Sequence, residues 1–320
     1  MKKIICFLLL LLVISGVYAK SHSFSVVTDL AYYPRSESKI NVNNTHFSFI
    51  NGPFSALEAR VTGNYFYTIP TPFGTNPLVK DNNLKLNAAF ELSPVSVMPI
   101  FQANFTPIAF LVFTAGGKIG TGWDFAPLNV QGSAIYNDTT KKFTSTNPFQ
   151  TWMMQFWFDS LFQFDIGAIV PGDWTHVVML ASYKVFYQRL TSAPDGEIWK
   201  WQGTADYCNG WKYYSSFLLG YQMPLLLQTV ALQCELEGYL GGGNFATRYE
   251  NWNPAFMEIA LSPVAILKFN KMHQLTIQAR FKSRRSYTEA IAENESAYNK
   301  TFASREWCFN RIAFSYEVKF

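Results

Sequence analysis

Residues 152–169, WMMQFWFDSLFQFDIGAI, alternate between apolar and polar side chains along most of their length. Trp152, Met154, Phe156, Phe158, Phe162, Phe164, Ile166 and Ala168 fall on one face, and Gln155, Asp159, Gln163 and Asp165 on the other. A helix would return to one face about every 3.6 residues, whereas a strand does so every second residue, so this segment is a strand. The same period recurs in 84–92, 226–240 and 273–284. In 226–240, Val230, Leu232, Cys234 and Leu236 oppose Thr229, Gln233, Glu235 and Glu237. In 273–284, Leu275, Ile277, Ala279 and Phe281 oppose Gln274, Thr276, Gln278, Arg280, Lys282 and Arg284.

These strands run for about 10 to 18 residues, against a usual length of roughly five or six. A tilted strand needs about nine to eleven residues to cross a bilayer, and the excess can project beyond it. No amphipathic helix is available to cover the greasy faces. A sheet that crosses lipid has to close, because an open edge would leave unpaired backbone groups in hydrocarbon. The expected fold is therefore all-β, a single closed antiparallel transmembrane β-barrel over 20–320. A soluble β-sandwich would have to hide the Phe row of 152–169 under something the sequence does not supply.

Composition agrees with a sheet between two solvents. Aromatic residues reach 17%, with 29 Phe, 17 Tyr and 9 Trp, while charged residues are only 15% and the net charge is +4. Nothing resembles a nucleic-acid-binding basic patch; the one cluster of bases is KSRR at 282–285. Trp152, Trp174, Trp211, Tyr213, Tyr221, Tyr67 and Tyr316 lie near expected strand ends, where amphipathic rings suit the headgroup level. Residues 1–19, MKKIICFLLLLLVISGVYA, read as a cleaved export signal with a basic start, an apolar run and a small-residue exit.

Strands are expected near 23–33, 54–68, 83–92, 95–105, 108–123, 152–169, 174–189, 208–221, 226–240, 255–269, 273–286 and 307–320. The gaps at 170–173, 222–225 and 270–272 are tight, while 34–53, 124–151, 190–207, 241–254 and 287–306 are long and polar. Tight and long connections alternate, as the two ends of an outer-membrane barrel require. Two depart from this rule: 69–82 is long where a short turn is expected, and Ser93-Pro94 is short where a long loop is expected. The count is about 12, within 10–14; a further hairpin in PLNVQGSAIY, within 124–151, would make it 14. LSPVS (92–96), FTPIA (105–109) and LSPVA (261–265) share a pattern whose proline, lacking a donor, suits strand ends or bulges.

The chain closes on RIAFSYEVKF, in which Ile312, Phe314, Tyr316, Val318 and Phe320 alternate with polar or small residues. This segment resembles the last strand of bacterial outer-membrane β-barrel proteins, which carries a terminal aromatic preceded by alternating apolar residues. The resemblance implies residence in the bacterial outer membrane, contact with its lipid, and recognition of these five residues by the barrel-assembly machinery. It also implies that the last strand pairs with the first.

Residues with catalytic or metal-binding chemistry are sparse. His22, His46, His176 and His273 show neither a phospholipase-type His-x-Ser-Asn-Gly motif nor the paired acids of an omptin-like protease. His46, in a long loop, has no Asp or Ser partner in its own sequence context. Sparse His and Cys argue against a metal centre, and no cofactor is expected. The glycine runs GGKIGTGW and YLGGGNF precede no helix, so they suit strand–loop junctions or close approach beneath aromatic rings. Cys208, Cys234 and Cys308 allow one disulfide and a leftover thiol.

The inward face supplies Asp159, Asp165, Glu235 and Glu237 against Lys184, Arg280, Lys282 and Arg284, with Trp157 on the same row as Asp159. Such groups either set a field across a water-filled lumen or pair to fill it, and these two readings stand side by side. The leading expectation is a passive channel or uptake porin for small solutes. A structural or adhesive barrel with a plugged lumen is the alternative, and an outer-membrane enzyme cleaving lipid or peptide ranks below both. Replacing Phe320 or appending a charged tail should impair assembly and leave export intact. Heat-dependent gel mobility of the membrane fraction checks this, and wild-type levels of heat-modifiable protein in such a variant would contradict it.

Overall fold

The computed structural model describes residues 21–36, 44–71, 73–126, 130–242, 244–289, 291 and 297–320. The expected export signal lies outside them. Twelve long strands form one antiparallel meander: β1 (Ser21–Arg35), β2 (Gly52–Pro70), β3 (Asn83–Ser93), β4 (Ser96–Ile108), β5 (Leu111–Gly122) and β6 (Met153–Asp165) make the first half. β7 (Val177–Leu190), β8 (Gly210–Gln222), β9 (Leu227–Tyr239), β10 (Glu258–Lys268), β11 (His273–Tyr287) and β12 (Phe302–Lys319) make the second. Each strand pairs with its sequence neighbours, and β12 returns to pair with β1 from Ser25↔Lys319 to Tyr32↔Ile312. The Phe320 amide donates to the Phe24 carbonyl at 2.8 Å, and the two rings lie 5.7 Å apart. The sheet has no free edge at the seam, so the fold is a closed barrel.

The alternation read from the sequence sorts the two faces. Phe156, Phe158, Phe162, Phe217, Leu219, Leu232 and Phe314 are all exposed on the outer wall. Water would not tolerate so continuous an apolar belt; lipid requires it. With every strand paired and this belt outside, the chain is an outer-membrane-type barrel. Trp152 and Trp211 mark one margin of the belt and Trp174 the other, all exposed.

Five connections at one end are 71–82, 109–110, 166–176, 223–226 and 269–272; at the other, 36–51, 123–152, 191–209, 240–257 and 288–301 are long. Both departures from the alternation have structural roles. The segment 71–82 folds against its neighbouring turn, where the Ala109 amide donates to the Leu78 carbonyl at 2.9 Å. The two-residue link Pro94-Val95 leaves the wall low at β3 and β4, and the chain entering the next long loop docks on it. There the Trp123 amide donates to the Val95 carbonyl at 2.8 Å and its indole to the Pro94 carbonyl at 2.9 Å.

Several expectations need correction. Segment 124–151 does contain a hairpin, Ser133–Asn137 with Lys142–Ser145, but it lies outside the wall. It joins Trp199–Trp201 and Thr204–Tyr207 in a separate four-stranded sheet, so the barrel has 12 strands and not 14. The strand expected over 152–169 stops at Asp165, whose carboxylate accepts from the Gly167 amide at 2.9 Å and starts a helical turn over Ile166–Ala168. Of the repeated prolines, Pro94 is in a turn and Pro107 beside the register shift between Phe105 and Ile108, as the pattern implies. Pro263 instead sits in mid-strand. Pairing of β10 with β11 skips from Leu261↔Phe281 to Val264↔Gln278, so the missing donor falls in a gap of the ladder.

Phe158 is mid-strand on the lipid face, so Phe158→Arg should destabilise the barrel by about 2–4 kcal/mol. Reversible folding into lipid vesicles measures this; a loss below about 1 kcal/mol would contradict the assignment of that face.

Candidate functional site

The inward rows of the twelve strands converge on a cavity of about 560 Å³ beneath the long loops. Its charged lining is uneven: Arg60, Lys118, Lys212, Arg280, Lys282, Arg285 and Arg311 face Glu58, Glu91, Glu237 and Glu258. Two further carboxylates, outside this lining, pair with its cations. Asp29 accepts from Arg60 Nε at 2.7 Å, and Glu235 lies 3.3 Å from Arg280 Nε. Arg60 also lies 3.8 Å from Glu91, Arg280 is 3.6 Å from Glu258, and Lys282 is 3.1 Å from that same Glu258. Lys212 bonds Glu237 directly. Arg311 reaches Glu58 at 3.3 Å and donates to the Tyr33 hydroxyl at 2.8 Å, while Tyr33 donates to Glu58 at 2.6 Å.

A smaller cavity of about 190 Å³ shares Glu58, Arg60 and Arg311 with the first and is lined further along by Gln233, Thr276 and Gln278. The shared arginine–glutamate group stands where the linings of the two chambers meet.

Over the larger chamber the loops build a roof. Trp199 and Trp201 from 191–209 are buried with Met98 of β4, Met153 of β6, Leu190 and Ala193. Asn209 organises this layer: its side-chain oxygen accepts from the Leu190 amide at 2.9 Å and the Trp199 indole at 3.0 Å. Its amide donates to the Ala193 carbonyl at 3.0 Å. Gln202 donates to Ser96 at 2.7 Å and to Glu91 at 3.3 Å, fastening the roof to the low part of the wall. A second buried layer above joins Tyr136 and Ile198 to Tyr249 and Trp252 of loop 240–257, Tyr287, and Tyr298 of loop 288–301. Arg248 bonds Glu197, and this bond raises the guanidinium above its ordinary value. Arg285 lies 3.5 Å above the Trp252 ring and donates to the Asn253 carbonyl at 3.2 Å.

The inward residues proposed from the sequence separate into groups. Glu237, Arg280 and Lys282 line the larger cavity, and Glu235 stands behind Arg280, accepting from the Tyr214 hydroxyl at 2.5 Å. Lys184 lies 4.8 Å over the Trp157 ring, directly across the ladder from Asp159. Asp165 is a correction. It sits at the short-turn rim, bonded to His176 Nδ1 at 2.6 Å, because its strand ends there. Arg284 binds Glu306 at 3.1 Å and the Ser36 carbonyl at 2.7 Å, and so holds loop 36–51 to the wall without lining the cavity.

Sequence reasoning missed Arg60, Glu58 and Arg311, although all three occupy inward positions of strands it recognised. It missed Trp199, Trp201 and Gln202 because loop segments carry no period to read. The glycine run at 116–120 conforms to close approach beneath rings: a Cβ on Gly116 would lie 2.5 Å from the Trp157 indole.

His46 gains a carboxylate partner from a distant strand. The short strand His46–Ser48 pairs in parallel with Glu306–Cys308 of β12. His46 Nε2 lies 3.7 Å from Glu306, and the Ser48 hydroxyl donates to the same carboxylate. Ser48 is 1% exposed and Glu306 is 0%, so the group docks a loop and offers no reachable nucleophile. Cys208, Cys234 and Cys308 are all free thiols, and burial pushes the Cys208 thiol in its loop up to about 12. Among the described residues no group of three or more His, Cys, Asp or Glu is arranged to hold a metal ion.

No family model matches the chain, and no curated protein matches it. Solved structures share its architecture at low identity. A KdgM porin is 7% identical with a TM-score of 0.36, covering 92% of this chain and 99% of its own. OmpT of Vibrio cholerae is 10% identical with a TM-score of 0.39, covering 94% and 97%. An outer membrane channel from Pseudomonas putida F1 is 8% identical with a TM-score of 0.44, covering 96% and 98%.

Trp199→Ala removes a fully buried ring and should weaken the roof by about 3–5 kcal/mol. Limited proteolysis should then cut within 191–209 while the barrel keeps its heat-modifiable mobility. Loss of the barrel itself would mean that the roof and the wall fold as one unit.

Proposed function

We propose that this barrel is a passive path for small solutes across the outer membrane, with its outer mouth narrowed by a folded roof. The observation that carries this reading is the pair of chambers within the wall, about 560 and 190 Å³, which share Arg60, Glu58 and Arg311 in their linings. The acid–base pairs that join neighbouring strands, Arg60 with Asp29 and Lys282 with Glu258 among them, run along the wall and leave central space. Twelve strands lie between the filled interior of about eight and the open channel of about 16, so a narrow path suits the wall. No enzymatic reaction is proposed.

The buried Trp199 and Trp201 layer favours a second reading, a barrel held shut by its own loops. Planar-bilayer recording of refolded protein separates the two. The channel reading expects discrete single-channel steps from the wild-type protein and larger ones from Trp199→Ala. Silence from both proteins would overturn it, and steps from Trp199→Ala alone would favour the closed barrel.

A further inference from the structure

Resting on the reading of the chambers as a solute path, we infer that Lys118 and Gln155 form an anion-binding point for a small solute bearing a carboxylate or phosphate. Lys118 of β5 and Gln155 of β6 are directly paired across the ladder, and both line the larger chamber. Among the described residues, five of the six other lining cations are held by carboxylates, and the sixth, Arg285, is stacked on Trp252. Among the described residues Lys118 has no hydrogen-bond or ion-pair partner, and neither has the Gln155 side chain. An ammonium and an amide therefore stand side by side with unused donors, facing a chamber of about 560 Å³ inside a barrel.

The surrounding field favours a negative guest. Lys118 lies within electrostatic reach of Arg60 and Lys184 as well as Glu91, and Glu91 is already engaged by Arg60 and Gln202. Among the described residues, counting Asp29 and Glu235 with the lining gives seven cations against six carboxylates. An ammonium held in a partly dehydrated space gains most from a charge-assisted bond to an oxyanion. Met98, Met153 and the roof indoles close the same space from above, offering an apolar surface to the remainder of the solute. At about 560 Å³ the chamber falls within the range of small-molecule sites, about 300–1,000 Å³.

The test is titration of the refolded full-length protein by its tryptophan fluorescence with citrate, inorganic phosphate and, as neutral control, glucose. Citrate or phosphate should saturate and glucose should not; which of the two anions binds more tightly identifies the oxyanion. Lys118→Gln should weaken the bound anion about tenfold, the loss of one charge-assisted bond. Lys85→Gln makes the same charge change outside the chamber, where Lys85 lies 4.1 Å over the Phe66 ring, and should bind as wild type. Heat-modifiable mobility confirms that each variant is folded. Failure of both anions to saturate, or equal binding by folded Lys118→Gln, would overturn the inference. A barrel that conducts but binds neither anion fails only this inference, whereas one that binds but never conducts fails only the channel reading.

Discussion

Backbone hydrogen bonding in a medium without water is the constraint on which the rest of this molecule depends. Each amide and carbonyl on a strand inside hydrocarbon has to find a partner on a neighbouring strand. The seam between β1 and β12 meets that demand at the one place where a linear meander would leave two edges. Eight successive residue pairs close it, and the Phe320 amide adds a bond to Phe24 beyond the last of them. Once the seam exists, side chains have only two destinations. The apolar row faces lipid, and whatever is polar enters the lumen.

That division transfers the problem of charge to the inside. Lumenal groups cannot all face bulk water, so they pair with one another, across one strand boundary as Arg60 does with Asp29 and Lys282 with Glu258, or across an intervening strand as Arg311 does with Glu58. Uneven strand lengths shape the mouth. β12 and β11 rise high and hold loop 240–257 through Arg285 and Arg305, the latter donating to the Met257 carbonyl at 2.8 Å. β3 and β4 stop low, joined by Pro94-Val95, and the four-stranded loop sheet descends over that gap. Roof and wall then share a buried layer in which Met98 and Met153 belong to the barrel and Trp199 and Trp201 to the loops.

Much of this was legible in the sequence wherever a period of two operates. All twelve wall strands were located, because Phe156-Trp157-Phe158-Asp159 and its counterparts declare both strand and face. The lumenal groups Glu235, Glu237, Arg280 and Lys282 follow from the same parity. Its limits are physical as well. Alternation does not reveal that Asp165 ends a strand by capping a helical turn, since both states keep its side chain polar. Nor does it distinguish a wall hairpin from the loop hairpin at 133–145, because a short strand pair reads alike in either place. Trp199, Asn209 and Gln202 act through contacts between segments far apart in the chain, which no local pattern encodes. That Lys118 has no partner among the described residues is likewise visible only once the strands are placed around it.

The central claim is that one face of each long strand meets lipid and the other meets water. Single spin labels placed in turn along 154–163 of β6, in protein refolded into bilayers, test it most directly through collisions with oxygen and with a water-soluble nickel chelate. The account predicts that oxygen accessibility peaks at 154, 156, 158 and 162, with nickel accessibility peaking at 155, 157, 159 and 163. Accessibilities that rise and fall together, or that show no period of two, would contradict it.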